Sequence, residues 1–172
     1  MAHAEPDAPG RRIHVTTAAP TERHARSIWD CYRTVFGNAP DYSVWVEETL
    51  RRHARRDGFR LVSATDGSAV TGFAWRYIGY RGQYWTDLAA TWLGRHFEFV
   101  ELGVAPERRR HGLGQALHDA LLRGVDRPCL LSTIDEPSDP AVRLYVRSGW
   151  RRLGVLTPGR QIMGRLPERT AR

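Results

Sequence analysis

A chain of 172 residues is the length of one domain and can bury roughly 70% of the surface its unfolded form exposes, so its core needs no covalent staples. Its two cysteines, Cys31 and Cys129, exclude a disulfide framework, Met1 to Arg12 lacks the apolar segment of a secretory signal, and no apolar run nears the ~20 residues of a membrane span. The expected compartment is the cytoplasm, and the net charge of +7, carried by 26 arginines and no lysine, points to an anionic partner without choosing among nucleic acid, a membrane surface and a phosphate-bearing small molecule.

Residues 1–11 show no apolar periodicity and read as a tail before a single domain over residues 12–168. Ile13 to Thr17 alternates as a first strand. Ala25, Ile28, Trp29, Tyr32, Val35 and Phe36 recur at helical spacing, and Gly37 can end that helix. A second helix is expected from an N-cap at Ser43 through Val46 and Leu50 to Arg51, Arg52, Arg55 and Arg56, whose charges complement the helix dipole. Phe59 to Ala64 and Val70 to Ile78 form a hairpin across Thr65-Asp-Gly-Ser. The irregular stretch from Gly79 to His96 holds Tyr80, Tyr84, Trp85, Asp87 and Trp92, so it is either a functional loop or a packed cover.

Phe97 to Val104 then reads as a strand, Gln115 to Arg123 as a helix with Leu117, Ala120 and Leu121 on one face, and Pro128 to Thr133 as a short buried strand. Pro140 suits the first turn of a helix carrying Val142, Leu144 and Tyr145, which Gly149 closes. Trp150 to Leu156 and Gln161 to Leu166 finish the chain as strands. The junction from Val104 to Gln115 joins a strand to a helix through glycines and arginines. Amides at a helix N-terminus lack intrahelical partners and carry the positive end of the dipole, so such a junction can cradle a phosphate.

Two motifs in order sharpen that reading. Arg109-x-x-Gly112-x-Gly114 behind Val104-x-Pro106 resembles the acetyl-CoA signature of the GNAT N-acetyltransferase superfamily, and Ala141-x-x-Leu144-Tyr145-x-x-x-Gly149-Trp150 resembles its later motif. The resemblance implies an α/β fold of the α+β type: a single domain with a mixed, mostly antiparallel sheet, splayed fourth and fifth strands, and helices on both faces. The splayed pair would be Phe97 to Val104 and Pro128 to Thr133, offering unpaired backbone to the pantetheine arm of acetyl-CoA. It further implies that the amides around Arg109, Arg110, His111, Gly112, Leu113, Gly114 and Gln115 hold the pyrophosphate, and that Val104 contacts pantetheine. Glycine at 112 and 114 would permit close approach of phosphate or an unfavourable φ. Two departures stand out: Arg110-His111 replaces a glycine common in relatives, and Ser138 replaces an asparagine.

Acyl transfer to an amine needs a base, a donor to the developing oxyanion and a proton for the departing thiolate. Glu98 and Glu101 are the candidate bases. Three apart on one strand, they face opposite sides unless a bulge changes the parity, so neither is selected, and each could instead be paired with an arginine. By the resemblance Tyr145 is the general acid, and a backbone N–H near Leu102 or Val104 serves the oxyanion. Cys129 reads as a small core residue. His111 and His118 lack a partnered ligand set, so no metal is expected. The expected partner is a small-molecule or peptide amine, with no membrane and with a homodimer left open. Two rivals remain, a non-catalytic acetyl-CoA-binding domain and a basic nucleic-acid-binding domain; dispersed arginines and the lack of a base-reading motif disfavour the latter.

Overall fold

The computed structural model describes residues 11–79 and 95–167. The expectations for the first ten residues and for Tyr80, Tyr84, Trp85, Asp87 and Trp92 lie outside these.

The chain runs β1 (Arg11–Thr16), α1 (Glu22–Phe36), α2 (residues 42–54), β2 (Arg60–Asp66), β3 (Ala69–Gly79), β4 (His96–Val104), α3 (Leu113–Leu122), β5 (Cys129–Ile134), α4 (Pro140–Arg147), β6 (Arg151–Thr157) and β7 (Arg160–Arg165). The strands form one sheet in the order β1-β2-β3-β4-β5-β7-β6. Neighbouring pairs are antiparallel except β4 and β5, which are parallel and pair only at Phe97–Cys129 and Glu98–Leu130. Beyond those two rungs the sheet splits, as the resemblance implied.

Side-chain alternation gives the sheet two apolar faces. Val62, Ala74, Phe97, Phe99, Leu131 and Met163 pack under α3 and α4. Leu61, Phe73 and Trp75 pack under α1 and α2, against Ile28, Trp45 and Leu50. Cys129 belongs to the first core, and burial pushes its thiol up to about 11, so it is held inert. Arg76 crosses this core as a buried cation whose guanidinium donates to the Leu121 and Gly58 carbonyls, both at 3.0 Å, and lies 3.8 Å over the Phe97 ring. It thereby satisfies an orphan carbonyl in the last turn of α3.

Helix starts differ from the sequence expectation for local reasons. Residue Asp41 rather than Ser43 caps α2, without a side-chain cap bond, and a π turn from Val46 to Arg51 interrupts it. Helix α3 begins at Leu113, two residues before the expected Gln115. Gly112 takes a left-handed φ of 75° and thus turns the chain before Leu113. Among the described residues, no helix is long and apolar enough to cross a membrane.

Candidate active site

Strand β4 carries an extra residue. Trp75 pairs with Glu101 while the next residue, Arg76, pairs with Phe99, so Val100 is a bulge. The count matters because Tyr77 pairs with Glu98. Trp75 and Tyr77 lie on the same face of β3, so Glu98 and Glu101 both point to the α1/α2 face. The parity left open by spacing alone is settled by this bulge.

The two carboxylates then part company. Glu98 is buried at the closed end of the split, where the Tyr77 hydroxyl bonds it and His96 Nε2 stands 3.8 Å from Oε1. Nearby His53 stays neutral, since burial and then Arg56 and Arg52 push its pKa down to about 4, and its Nδ1 accepts from Trp75 Nε1 at 3.2 Å. Glu101 lies farther along the open part of the split and makes no ion pair among the described residues. Burial pushes its carboxyl up to about 7, partly offset by the positive charge of Arg160.

Both line a cleft of about 500 Å³ that passes through the split. Phe36 and Glu101 bound it on the α1/α2 side, Ala141 and Tyr145 on the other, with Ser132 on β5 and Arg160 at the rim of β7. Tyr145 sits in the α3/α4 core, its ring 5.8 Å from Phe99 and 5.9 Å from Trp150. Burial, then the charges of Glu101 and Asp139, hold its phenol well above the usual tyrosine value. Among the described residues its hydroxyl has no hydrogen-bond partner, so it is free to address a group in the cleft.

The glycine-arginine junction lies at the open end of the split. Pro106 to Arg108 form a short 3-10 turn, and the first intrahelical bond of α3 runs from Ala116 N–H to the Gly112 carbonyl at 3.0 Å. The amides of Leu113, Gly114 and Gln115 precede that bond and so lack intrahelical acceptors. Arg110 adopts a φ of 65°, a left-handed conformation that costs about 1–2 kcal/mol for a residue with a Cβ. Here the departure from glycine has its cost. The three arginines differ: Arg108 pairs with Asp66, Arg109 Nε donates to the Val104 carbonyl at 3.1 Å, and Arg110 is exposed with no ion pair among the described residues. The Val104 carbonyl is thus used by its own loop.

The two motif glycines do different work. Gly112 has open space around its missing side chain, and its need is the positive φ. At Gly114 a Cβ would stand 3.1 Å from Leu144 Cδ1, so this glycine lets α3 approach α4 rather than admitting phosphate. The Gln115 side chain turns away from the junction to Asp119 at 2.8 Å and Ser148 at 3.1 Å. Leu102 packs its side chain on the α3/α4 core, leaving its backbone at the split edge.

His111 is exposed whereas His118 is buried, accepts from Trp150 Nε1 at 2.9 Å and bonds Asp119 through Nδ1 at 2.8 Å, so the two histidines do not converge. Ser138 bonds Glu136 rather than facing the cleft. Sequence reasoning missed Asp139, whose carboxylate accepts from the Ala141 and Val142 amides and caps α4 beneath the cleft. An Asp immediately before Pro140 was the signal for it. It also missed Phe36 and Arg160 as lining residues, which nothing in their local sequence marks.

Residues 22–150 match the acetyltransferase (GNAT) family. The chain belongs to that family. This GNAT chain is 29% identical over 126 residues to the mycothiol acetyltransferase of Geodermatophilus obscurus, covering 70% of itself but 39% of that protein. It therefore spans about two fifths of that relative's length. A GCN5-like protein acetyltransferase of Mycobacterium tuberculosis is 29% identical over 161 residues, with 68% of this chain and 78% of that one covered. Its fold matches the PaiA N-acetyltransferase of Thermoplasma acidophilum, solved in complex with coenzyme A, at a TM-score of 0.61 and 14% identity over 91% of this chain and 99% of that one.

Proposed function

We propose that this chain is an acetyl-CoA-dependent N-acetyltransferase that delivers acetyl to a primary amine of a small molecule or peptide by direct attack. The observation that supports it is the placement of Glu101, a carboxyl held near neutrality inside the split and facing Tyr145 across the cleft. The residues present suit the co-substrate: free α3 amides and the exposed Arg110 for pyrophosphate, and strand edges left unpaired beyond Glu98 and Leu130 for pantetheine.

When bound, acetyl-CoA supplies an activated thioester carbonyl. Glu101, directly or through a water, takes one proton from the incoming ammonium, whose side-chain-type pKa is about 10.4. The amine nitrogen then forms the N–C bond as the C–S bond breaks, and a backbone N–H of the split β4 edge near Leu102 donates to the carbonyl oxygen as that oxygen gains negative charge. The second amine proton is released and the thiolate becomes a thiol. Tyr145 acts here mainly as a hydrogen-bond donor. Its phenol is less acidic than a thiol of pKa ~8.5, so complete transfer from it is uphill, whereas a hydrogen bond to developing thiolate is favourable.

Release of thiol from acetyl-CoA over a panel of amines tests this reading. Turnover that follows deprotonation of one group near pH 7 is expected. Thermal stabilisation by acetyl-CoA without thiol release for any amine would instead mark a non-catalytic binder.

A further inference from the structure

Resting on the acetyl-transfer reading above, we propose that the acceptor is a zwitterion of the apolar amino-acid class, its amine at Glu101 and its carboxylate on Arg160. Both residues line one cleft and lie on one face of the sheet. Arg160 pairs with Ile134 and its neighbour Ile162 packs with Leu130 in the small cluster on that face. Arg160 is therefore placed across from Glu101, on the far wall of the split.

The guanidinium is aimed before any ligand arrives. Nη2 donates to Ser132 Oγ at 2.9 Å and Nε does so at 3.3 Å, which fixes the plane of the fork. Nη1 makes no hydrogen bond among the described residues, and no carboxylate there is within ion-pair reach of Arg160. Nearby acids are committed elsewhere: Asp135 takes Arg152 through both oxygens, at 3.1 and 2.8 Å, and Asp139 caps α4. A fixed, unpaired fork at the rim of a cleft suits a carboxylate, which accepts two parallel N–H bonds. Between the two charges the wall is apolar, with Phe36, Val100, Leu130, Ile134 and Ile162. That lining has room for an apolar side chain and offers few partners to a polar one.

Phenylalanine, its amide and phenethylamine share a ring and an amine but differ in the carboxylate. Wild-type protein should favour phenylalanine over phenethylamine in kcat/KM by at least about tenfold, and over glycine as well. Arg160→Met should lower kcat/KM for phenylalanine roughly 10- to 100-fold through KM, with phenethylamine and the amide changed less than about twofold and the KM for acetyl-CoA unmoved. Arg160→Lys should recover part of the loss. Equal use of phenylalanine and phenethylamine by wild type, an equal loss for both in Arg160→Met, or a raised KM for acetyl-CoA would overturn the assignment. If no amine releases thiol, the acetyl-transfer reading fails separately, and calorimetry with coenzyme A present decides the acceptor site. Phenylalanine binding that Arg160→Met abolishes sustains it, and no phenylalanine binding to wild type overturns it.

Discussion

On the α1/α2 side of the split a carboxyl group is held in a largely desolvated position, and on the α3/α4 side a phenol packs against two aromatic neighbours, Phe99 and Trp150. Burial raises both pKa values, to about 7 for Glu101 and far above the ordinary range for Tyr145. The consequences are opposite. For Glu101 desolvation creates a base matched to neutral pH; for Tyr145 it locks the proton in place and leaves a neutral donor. One physical effect, applied to two groups of different starting acidity, divides the labour between the walls.

Glu101→Gln should break this comparison most severely, lowering kcat/KM by roughly 10²- to 10⁴-fold and removing the rise of activity through pH 7. Stability should move the other way. Glu101 has a raised folded-state pKa, so the folded state holds the extra proton between about 4.5 and 7, and stability falls as pH climbs through that window. Denaturant titrations should show Glu101→Gln more stable than wild type at pH 8 by on the order of 1–3 kcal/mol, with the gain largely gone at pH 4.5.

Tyr145→Phe should cost less, about 10- to 100-fold in kcat, with the KM for acetyl-CoA little changed. Because the hydroxyl has no protein partner among the described residues, its melting temperature should stay near that of wild type. An unaltered kcat would remove the phenol from the chemistry and leave the carboxylate wall alone.

The glycines and arginine of the junction sharpen the contrast between conformation and contact. Gly114→Val should destabilise by about 1–3 kcal/mol, since its side chain meets Leu144 between two packed helices. Gly112→Ala should cost about 1–2 kcal/mol through its φ of 75° alone. Arg110→Gly carries the smallest effect: it should stabilise by up to about 1 kcal/mol by relieving the left-handed arginine, while raising the KM for acetyl-CoA several-fold. A fall in melting temperature for Arg110→Gly would show that the arginine side chain contributes contacts that outweigh its backbone strain.

Element order, the split between β4 and β5 and the cleft position of Tyr145 were legible because each leaves a local mark: apolar periodicity, a glycine junction, a tyrosine before Gly149-Trp150. The face of Glu101 was not. Val100 is an ordinary strand residue, without the glycine that marks some bulges, and the bulge arises from pairing with β3 across the register shift at Trp75 and Arg76. Arg160 was equally silent, since its meaning depends on Ser132 and Ile134, 28 and 26 positions earlier in the numbering, through the β5–β7 pairing. The start of α3 was misplaced because the sequence does not say which glycine turns left-handed and which packs a helix.

The extra residue in β4 also bears on how such a site is inherited. Drawing Val100 into the regular ladder while keeping it in the chain would send Glu98 and Glu101 to opposite faces, changing the acids presented to the cleft without altering any amino acid, whereas deleting it would leave both on one face. In this protein the pairing of β4 with β3 is itself a determinant of chemistry, and a relative with both glutamates at the same spacing but no bulge would carry the letters of the site without its arrangement.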